Sequence, residues 1–187
     1  MERVASVASF FVSRVDTSVD KELERRMAEA KSDEQRQTLE SLLGRAGVAN
    51  AKLAYARFKE IFHGERFAQL RARGAQVQRP LWASTGTKNP KYSDVLYVDN
   101  LIGPETVNTV PPQTYAAFLD HGRVEPTLER DLDDARAVFA GLAEVGVDLK
   151  DVTEKLQTEG LKLFVNSFEA LLSSIESSCT TATAART

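Results

Sequence analysis

Short apolar segments alternate with longer amphipathic ones along this chain. The first apolar segment lies in VASVASFFVSRVD, residues 4–16, and breaks off at Ser13. Such a run is too short to cross a bilayer, which takes about 20 apolar residues, but it suits a strand buried on both faces of a parallel sheet. It also lacks the basic start and small-residue cleavage site of a signal peptide. The pattern therefore predicts a buried strand, with Arg14 and Asp16 just past its carboxyl end.

Two further segments have the character of strands. RPLWAS, residues 79–84, is a short apolar run that is followed by the turn-rich sequence TGTKNPKYSD. TVNTV, residues 106–110, is rich in β-branched residues, and the two prolines that follow it cannot continue a strand. We therefore expect three strands, with a polar loop after the second.

The remaining segments are predicted to be helical. Residues 18–47 are rich in helix formers, and the next stretch places apolar side chains at helical spacing up to about Gly64, so that its aromatic residues belong to the core. Further helices are expected over residues 92–102, 114–121, 132–145 and 148–176. The last of these has one apolar stripe, made of Leu161, Phe164, Val165, Phe168, Leu171, Leu172 and Ile175. Residues 1–176 are predicted to form part of a single domain, and residues 177–187 a flexible polar tail.

Strands that alternate with helices predict an α/β fold with a parallel sheet. No G-x-G-x-x-G motif follows a strand, which argues against a dinucleotide-binding fold. A (β/α)8 TIM barrel fits better, but such a barrel has eight strands in roughly 250 residues. The 187 residues here contain only three predicted strands, so the predicted barrel is incomplete.

Composition narrows the choice of function. The net charge is -3 and there is no dense block of Lys and Arg, so neither nucleic acid nor an anionic membrane is an expected partner. Cys179 is the only cysteine, which excludes an intramolecular disulfide framework and any cysteine-based zinc motif. These features fit a protein of the reducing cytoplasm, and no metal site is expected.

Five segments, in order, resemble the C-terminal portion of transaldolases. They are VASVASFFVSRVD, ANAKLAYARFKEIF, RPLWASTGTKNPKYSDVLYV, LIGPETVNTVPPQTYAAFLDHG and VTEKLQTEGLKLFVNSFEALL, and together they extend over residues 4–176. The resemblance implies strands six to eight of a (β/α)8 barrel with additional C-terminal helices. It also implies transfer of a dihydroxyacetone unit between phosphosugars, sedoheptulose 7-phosphate and glyceraldehyde 3-phosphate, in the pentose phosphate pathway. That chemistry uses a lysine Schiff base and needs no cofactor.

The same resemblance assigns candidate site residues. Ser9 and Phe11 match positions of the sixth strand that face the substrate pocket, and Arg14 matches a residue that binds the substrate phosphate. Ser84 and Lys88 match phosphate-contacting positions at the end of the seventh strand. A guanidinium binds phosphate oxygens bidentately, and the carboxyl ends of barrel strands form the catalytic face, so both assignments are physically reasonable.

Other polar residues near the predicted strands and helix ends receive no catalytic role. Asn108 and Thr109, on the third strand, are interpreted as structural. His63 and His121 each precede a glycine that ends a helix, where a cation is mildly favoured, and no chemistry is assigned to them.

The Schiff-base lysine and its Asp and Glu partners belong, by the resemblance, to the fourth, first and third strands, which this chain lacks. Lys52 and Lys59 lie on an amphipathic helix and are predicted to be solvated, as are Lys21, Lys31, Lys155 and Lys162. A Schiff-base lysine needs burial that lowers its pKa. We therefore expect no transaldolase activity from this chain alone.

Two classes of function remain open. The chain is either part of a transaldolase, as a fragment or as one subunit of a split enzyme whose partner supplies strands one to five, or a non-catalytic relative. The second class would bind phosphosugar or take part in assembly, including self-association. Met1 precedes the first strand by only a few residues, which favours a fragment or a split subunit over an independent module.

Overall fold

Three neighbouring strands form one parallel sheet in the computed structural model, which describes residues 4–184. The strands are β1 (Ser6–Phe11), β2 (Gln78–Ala83) and β3 (Val107–Asn108), and their order in the sheet is β1-β2-β3. Phe11 pairs with Ala83 and Trp82 pairs with Asn108, so the carboxyl ends of all three strands reach the same edge. The prediction of three adjacent parallel strands is confirmed.

Within the described residues, eight helices accompany the sheet. Between β1 and β2 lie α1 (Val12–Glu29), α2 (Asp33–Glu40), α3 (Ala46–Phe62) and α4 (Glu65–Ala72). After β2 comes α5 (Leu96–Asn100), and after β3 come α6 (Pro112–His121), α7 (Leu132–Glu144) and α8 (Leu149–Ala184). The sequence predicted helix in the other seven segments, but α4 was not predicted, since its sequence ERFAQLRA buries only Phe67.

The prediction that β1 is buried on both faces is wrong. Its residues are exposed or half-exposed, with Val7 40% and Phe11 37% accessible. In the described residues β1 has a strand neighbour on one edge only, and little covers the face that carries these two side chains. Helix α1 begins at Val12, directly after the strand, so Arg14 and Asp16 lie past the carboxyl end of the strand, in the first two turns of this helix.

The core forms where α1, α3 and β2 meet. Trp82 of β2 is fully buried, packs near Phe10 at 5.6 Å between ring centroids, and donates its indole N–H to the Leu101 carbonyl at 3.2 Å. Tyr55 and Phe58 of α3 are buried beside it, as the helical spacing predicted. The apolar face of α3 therefore holds the helix against the back of the sheet.

Helices α1 and α3 approach each other closely at Gly47. A Cβ atom at this position would lie 2.7 Å from the Val12 carbonyl oxygen and 2.9 Å from an Asp16 carboxylate oxygen. Only a residue without a side chain fits there, so Gly47 allows its own N–H to donate to Asp16 at 2.6 Å.

The described residues divide into two compact units between Leu149 and Lys150, and α8 accounts for the second. Its predicted apolar stripe lies on one uninterrupted helix, which continues to Ala184 past the predicted boundary at residue 177. Residues 185–187 of the predicted tail lie outside the described residues. None of the helices described, α8 included, is long and apolar enough to cross a membrane.

Candidate functional site

The carboxyl ends of β1 and β2 place several polar residues at one edge of the sheet. Arg14 follows β1 in the first turn of α1, and Ser84 directly follows β2. The backbone N–H of Ser13 donates to the Ser84 carbonyl at 3.2 Å, which joins the two strand ends. Arg14 and Ser84 therefore emerge from neighbouring strand ends on the same side, where a parallel α/β sheet usually binds its ligand.

Ser9 and Phe11 share the exposed face of β1, because successive residues of a strand point to opposite faces. On the other face, Phe10 contacts Trp82 and the core. The Arg14 guanidinium lies over the Phe11 ring, 4.6 Å from its centroid. The arrangement brings Ser9, Phe11 and Arg14 to one side of the strand, as expected of residues that line a common pocket.

Ser84 has an unusual backbone conformation. Its φ is +56°, in the left-handed region that residues with a Cβ seldom adopt. Its hydroxyl lies 2.7 Å from the hydroxyl of Ser13, which is 1% exposed. Strain of this kind is concentrated at functional sites, so the conformation marks Ser84 as a candidate for function.

A second set of hydrogen bonds joins β2 to β3. Thr85, fully buried, donates its hydroxyl proton to the Asn108 side-chain oxygen at 3.0 Å. The Thr109 backbone N–H donates to the Trp82 carbonyl at 3.0 Å. Asn108 and Thr109 thus hold strand ends together, which agrees with their interpretation as structural residues.

Lys88 lies apart from these contacts in the loop after β2. It lines a surface cleft together with four charged residues of α1, which are Asp16, Asp20, Lys21 and Glu24. No hydrogen bond or ion pair among the described residues joins Lys88 to Arg14 or Ser84. The structure therefore places Arg14 and Ser84 at adjacent strand ends. That these two residues and Lys88 bind one phosphate stays a prediction.

Two carboxylates of α1 are held in the same manner. Asp16 accepts hydrogen bonds from the Gly47 N–H at 2.6 Å and the Tyr97 hydroxyl at 2.8 Å. One turn further on, Asp20 accepts from the Gly44 N–H at 2.9 Å and the Tyr92 hydroxyl at 2.8 Å. Tyr92 lies in the polar loop after β2 and Tyr97 in α5, so these bonds fix the loop and the helix that follows it to α1.

Burial dominates the electrostatics of this pair of carboxylates. It raises the pKa of Asp16 from 3.8 to about 6, although the hydrogen bonds from Gly47 and Tyr97 act in the opposite direction. Burial also raises the pKa of Asp20. Neither residue is a candidate site residue in the sequence-based predictions above, although the i, i+4 spacing of the two on a helix next to a strand end could have identified them.

Arg14 makes no ion pair with either carboxylate in the described residues. Both oxygens of Asp16 and of Asp20 are occupied by glycine and tyrosine donors, and the Arg14 side chain is exposed. An ion pair with Asp16 or Asp20 would have made this arginine an ordinary surface charge. The contacts favour instead a guanidinium that is available to an external anion.

The prediction that all the lysines are solvated is wrong for Lys52. Its residue is 6% exposed, and its ammonium group donates to the Arg130 carbonyl at 2.9 Å. Burial lowers the pKa of Lys52, opposed by the nearby carboxylates of Asp131 and Asp134. Its place on α3 next to the core residue Ala51 puts it where α7 packs, whereas Lys59 remains at the surface in an ion pair with Glu129.

Both histidines are surface residues with acidic partners. His63 lies 2.8 Å from Glu105, and His121 lies 2.8 Å from Asp94 and 3.0 Å from Asp120. The hydrogen bond with Asp94 is the main cause of a raised pKa at His121. In residues 4–184 no group of three or more His, Cys, Asp or Glu side chains is placed to bind a metal ion.

Comparison with known proteins identifies the protein class. Residues 1–175 match the family described as Transaldolase/Fructose-6-phosphate aldolase, so the chain belongs to this family. Over 173 residues it is 50% identical to a transaldolase of Mycolicibacterium smegmatis, and over 174 residues 51% identical to that of Mycobacterium tuberculosis. These alignments include 92% of this chain but 44% of each relative. The chain thus spans less than half the length of these relatives.

Proposed function

We propose that this chain supplies the phosphate-binding side of a transaldolase active site. In this proposal β1, β2 and β3 are strands six to eight of a (β/α)8 barrel. The reaction moves a dihydroxyacetone unit between phosphosugars such as sedoheptulose 7-phosphate and glyceraldehyde 3-phosphate. The family match and the relatives named transaldolase support the reaction class.

The observation that carries the proposal is the position of Arg14. Its exposed guanidinium follows a strand end beside Ser84, and it makes no ion pair with Asp16 or Asp20, whose carboxylates accept from other donors. Arg14 also lies in the first turn of an 18-residue helix that has no acidic residue in that turn, so the helix dipole favours a negative ligand there. A phosphate bound at this end would be held by the guanidinium and the Ser84 hydroxyl.

Binding at this position would orient the sugar but not break its carbon chain. Carbon transfer requires an unprotonated lysine amine next to the ketose carbonyl, with an acid/base group that moves protons. Within the described residues, none of the three strands carries a lysine. We therefore propose that the chain acts with a partner chain, or a further segment, that bears strands one to five and the Schiff-base lysine.

The phosphate site is tested by calorimetric binding of fructose 6-phosphate and inorganic phosphate to the 187-residue chain. Replacing Arg14→Ala removes charged hydrogen bonds and should weaken both ligands by about tenfold or more. Arg57→Ala is the matched control, since Arg57 is an exposed arginine on α3 that pairs with Glu60. Equal binding by both variants would contradict the proposal.

Borohydride trapping with fructose 6-phosphate tests whether the Schiff-base lysine lies outside this chain. Mass spectrometry should find no reduced three-carbon adduct on lysine with this chain alone, and one adduct on the added chain after mixing with a polypeptide that carries strands one to five. The second candidate function, a non-catalytic phosphosugar-binding or assembly protein, predicts binding without an adduct in either case. An adduct on a lysine of the isolated chain would overturn the proposed division.

A further inference from the structure

The hydroxyl of Ser13 has a defined position in the strand-end network. Ser13 is the second residue of α1 and is 1% exposed. Its backbone N–H, one of the groups left without a partner in the first turn of a helix, donates to the Ser84 carbonyl at 3.2 Å. Its side-chain oxygen lies 2.7 Å from the Ser84 side-chain oxygen. Ser13 thus contacts Ser84 through both backbone and side chain.

The direction of the hydroxyl hydrogen bond follows from what a phosphate can accept. Phosphate oxygens at neutral pH are mainly acceptors, so Ser84 must direct its proton toward the ligand to bind it. The Ser84 oxygen can then accept the Ser13 proton, because a hydroxyl provides one donor and two acceptor sites. In this arrangement the buried Ser13 hydroxyl donates its own proton in a hydrogen bond to Ser84.

The backbone of Ser84 needs such support. The left-handed region is unfavourable for a residue with a Cβ, and such a conformation persists only where its surroundings hold it there. The φ angle of +56° determines the direction of the Ser84 side chain. Two hydrogen bonds with Ser13, one to the Ser84 carbonyl and one between the hydroxyls, help to maintain this backbone conformation. Loss of the side-chain contact would let the Ser84 hydroxyl rotate among its staggered rotamers.

We propose that Ser13 is a positioning residue, which orients the Ser84 hydroxyl toward the substrate phosphate without itself contacting the ligand. This inference rests on the proposed phosphate site and adds a residue that the resemblance did not single out. It predicts that Ser13 affects phosphate affinity through Ser84 alone.

The first test measures fructose 6-phosphate affinity for Ser13→Ala, Ser84→Ala and the double variant of the 187-residue chain. Ser13→Ala should weaken binding by about 3- to 10-fold, as expected for one neutral hydrogen bond. It should have no further effect when Ser84 is already alanine. Ser13→Cys, which keeps the size and a weak donor, should restore part of the affinity. Thr127→Val, which removes a hydroxyl that donates to the Asp99 carbonyl, is the control and should leave affinity unchanged.

The second test needs no ligand. Urea unfolding of the same variants should give a coupling between Ser13→Ala and Ser84→Ala, since both remove one shared hydrogen bond. Equal affinity of Ser13→Ala and wild type would overturn the role of Ser13 and leave the phosphate site intact. Absence of any wild-type phosphate binding would overturn the proposed function, and the unfolding cycle would still decide whether Ser13 holds Ser84. Additive unfolding energies would reject that contact.

Discussion

Ser84 combines a strained backbone with a polar side chain that has a buried partner. The strained backbone lowers the stability of the fold, and it orients a hydroxyl at the strand ends. The strain and the hydrogen bond can be separated by substitution, because glycine removes both while alanine removes only the hydrogen bond.

We therefore expect Ser84→Gly to be more stable than Ser84→Ala. Alanine retains the left-handed penalty of about 1 to 2 kcal/mol, and glycine avoids it at an entropic cost of roughly 0.5 to 1 kcal/mol. Urea unfolding, followed by fluorescence of Trp82, the only tryptophan, measures the difference. A larger loss of stability in Ser84→Gly than in Ser84→Ala would show that the backbone at this position is not strained.

The buried Asp16 carboxyl should make stability depend on pH. Its pKa is raised by burial from 3.8 to about 6, so the folded state binds the proton more tightly than the unfolded state. This contribution, about 3 kcal/mol by the size of the shift, is fully present below pH 4 and is lost as the pH rises through 6. Asp20, whose pKa is also raised, acts in the same direction.

Asp16→Asn removes the titrating group and retains an oxygen that can accept the Gly47 N–H. The difference in unfolding free energy between Asp16→Asn and wild type should therefore grow in favour of the variant from pH 4.5 to pH 7.5. Urea titrations at several pH values measure it. Asp33→Asn, at an exposed carboxylate of α2, is the control for removing a carboxylate in general. A difference that does not vary with pH would mean that Asp16 titrates normally.

At the level of single residues, the sequence predicted well where a strand ends and poorly where helices pack. Arg14 and Ser84 could be placed at adjacent strand ends because parallel strands align their carboxyl ends. Lys52 could not be recognised as buried, because its partners are Arg130 and the start of α7, which lie about eighty positions further along the chain. The same holds for Asp16 and Asp20, whose tyrosine partners also come from distant positions.

At the level of elements, two helical glycines lie in different kinds of contact, one against backbone and one against a side chain. Gly47 of α3 faces the backbone of α1, where a Cβ would lie 2.7 Å from a carbonyl oxygen that cannot move independently. Gly141 of α7 faces the Leu42 side chain, where a Cβ would lie 3.1 Å from a methyl group that can rotate away. The same substitution should therefore have different effects at the two positions.

Gly47→Ala should destabilise the fold by about 1 to 3 kcal/mol, since the added methyl group must push α1 and α3 apart. Gly141→Ala is the matched control, and its better helix propensity should make it neutral or slightly stabilising. Thermal or urea unfolding compares the two variants. If Gly47→Ala were as stable as Gly141→Ala, the close approach of α1 and α3 would be absent in solution.

How well the sequence predicts a helix or strand depends on how many of its residues are buried. Periodic apolar spacing located α3 and α7 because each buries a stripe on one face. It missed α4, in which only Phe67 is buried. It also overestimated the burial of β1, since an apolar run shows that a strand can be buried but not which other elements are present to cover it.

At the scale of the whole molecule, the open side of β1 is the feature with the clearest consequence. Its sheet neighbour among the described residues is β2 alone, and Val7 and Phe11 are exposed on its surface. The chain spans 44% of its transaldolase relatives, in agreement with the proposal that other strands would continue the sheet at this edge. An uncovered edge strand with apolar residues readily pairs with another chain.

We therefore expect the isolated chain to self-associate through β1, and Val7→Lys to reduce this association. A lysine on an edge strand opposes strand pairing because its charge would have to be desolvated in the contact. Sedimentation velocity over a range of protein concentrations should show a wild-type distribution that shifts to larger species, and a Val7→Lys distribution that stays closer to the monomer. Val124→Lys adds the same charge at a residue that is 81% exposed and outside the sheet, and it should behave like wild type. A monomeric wild-type chain, or equal effects of the two lysines, would show that the edge of β1 does not drive assembly.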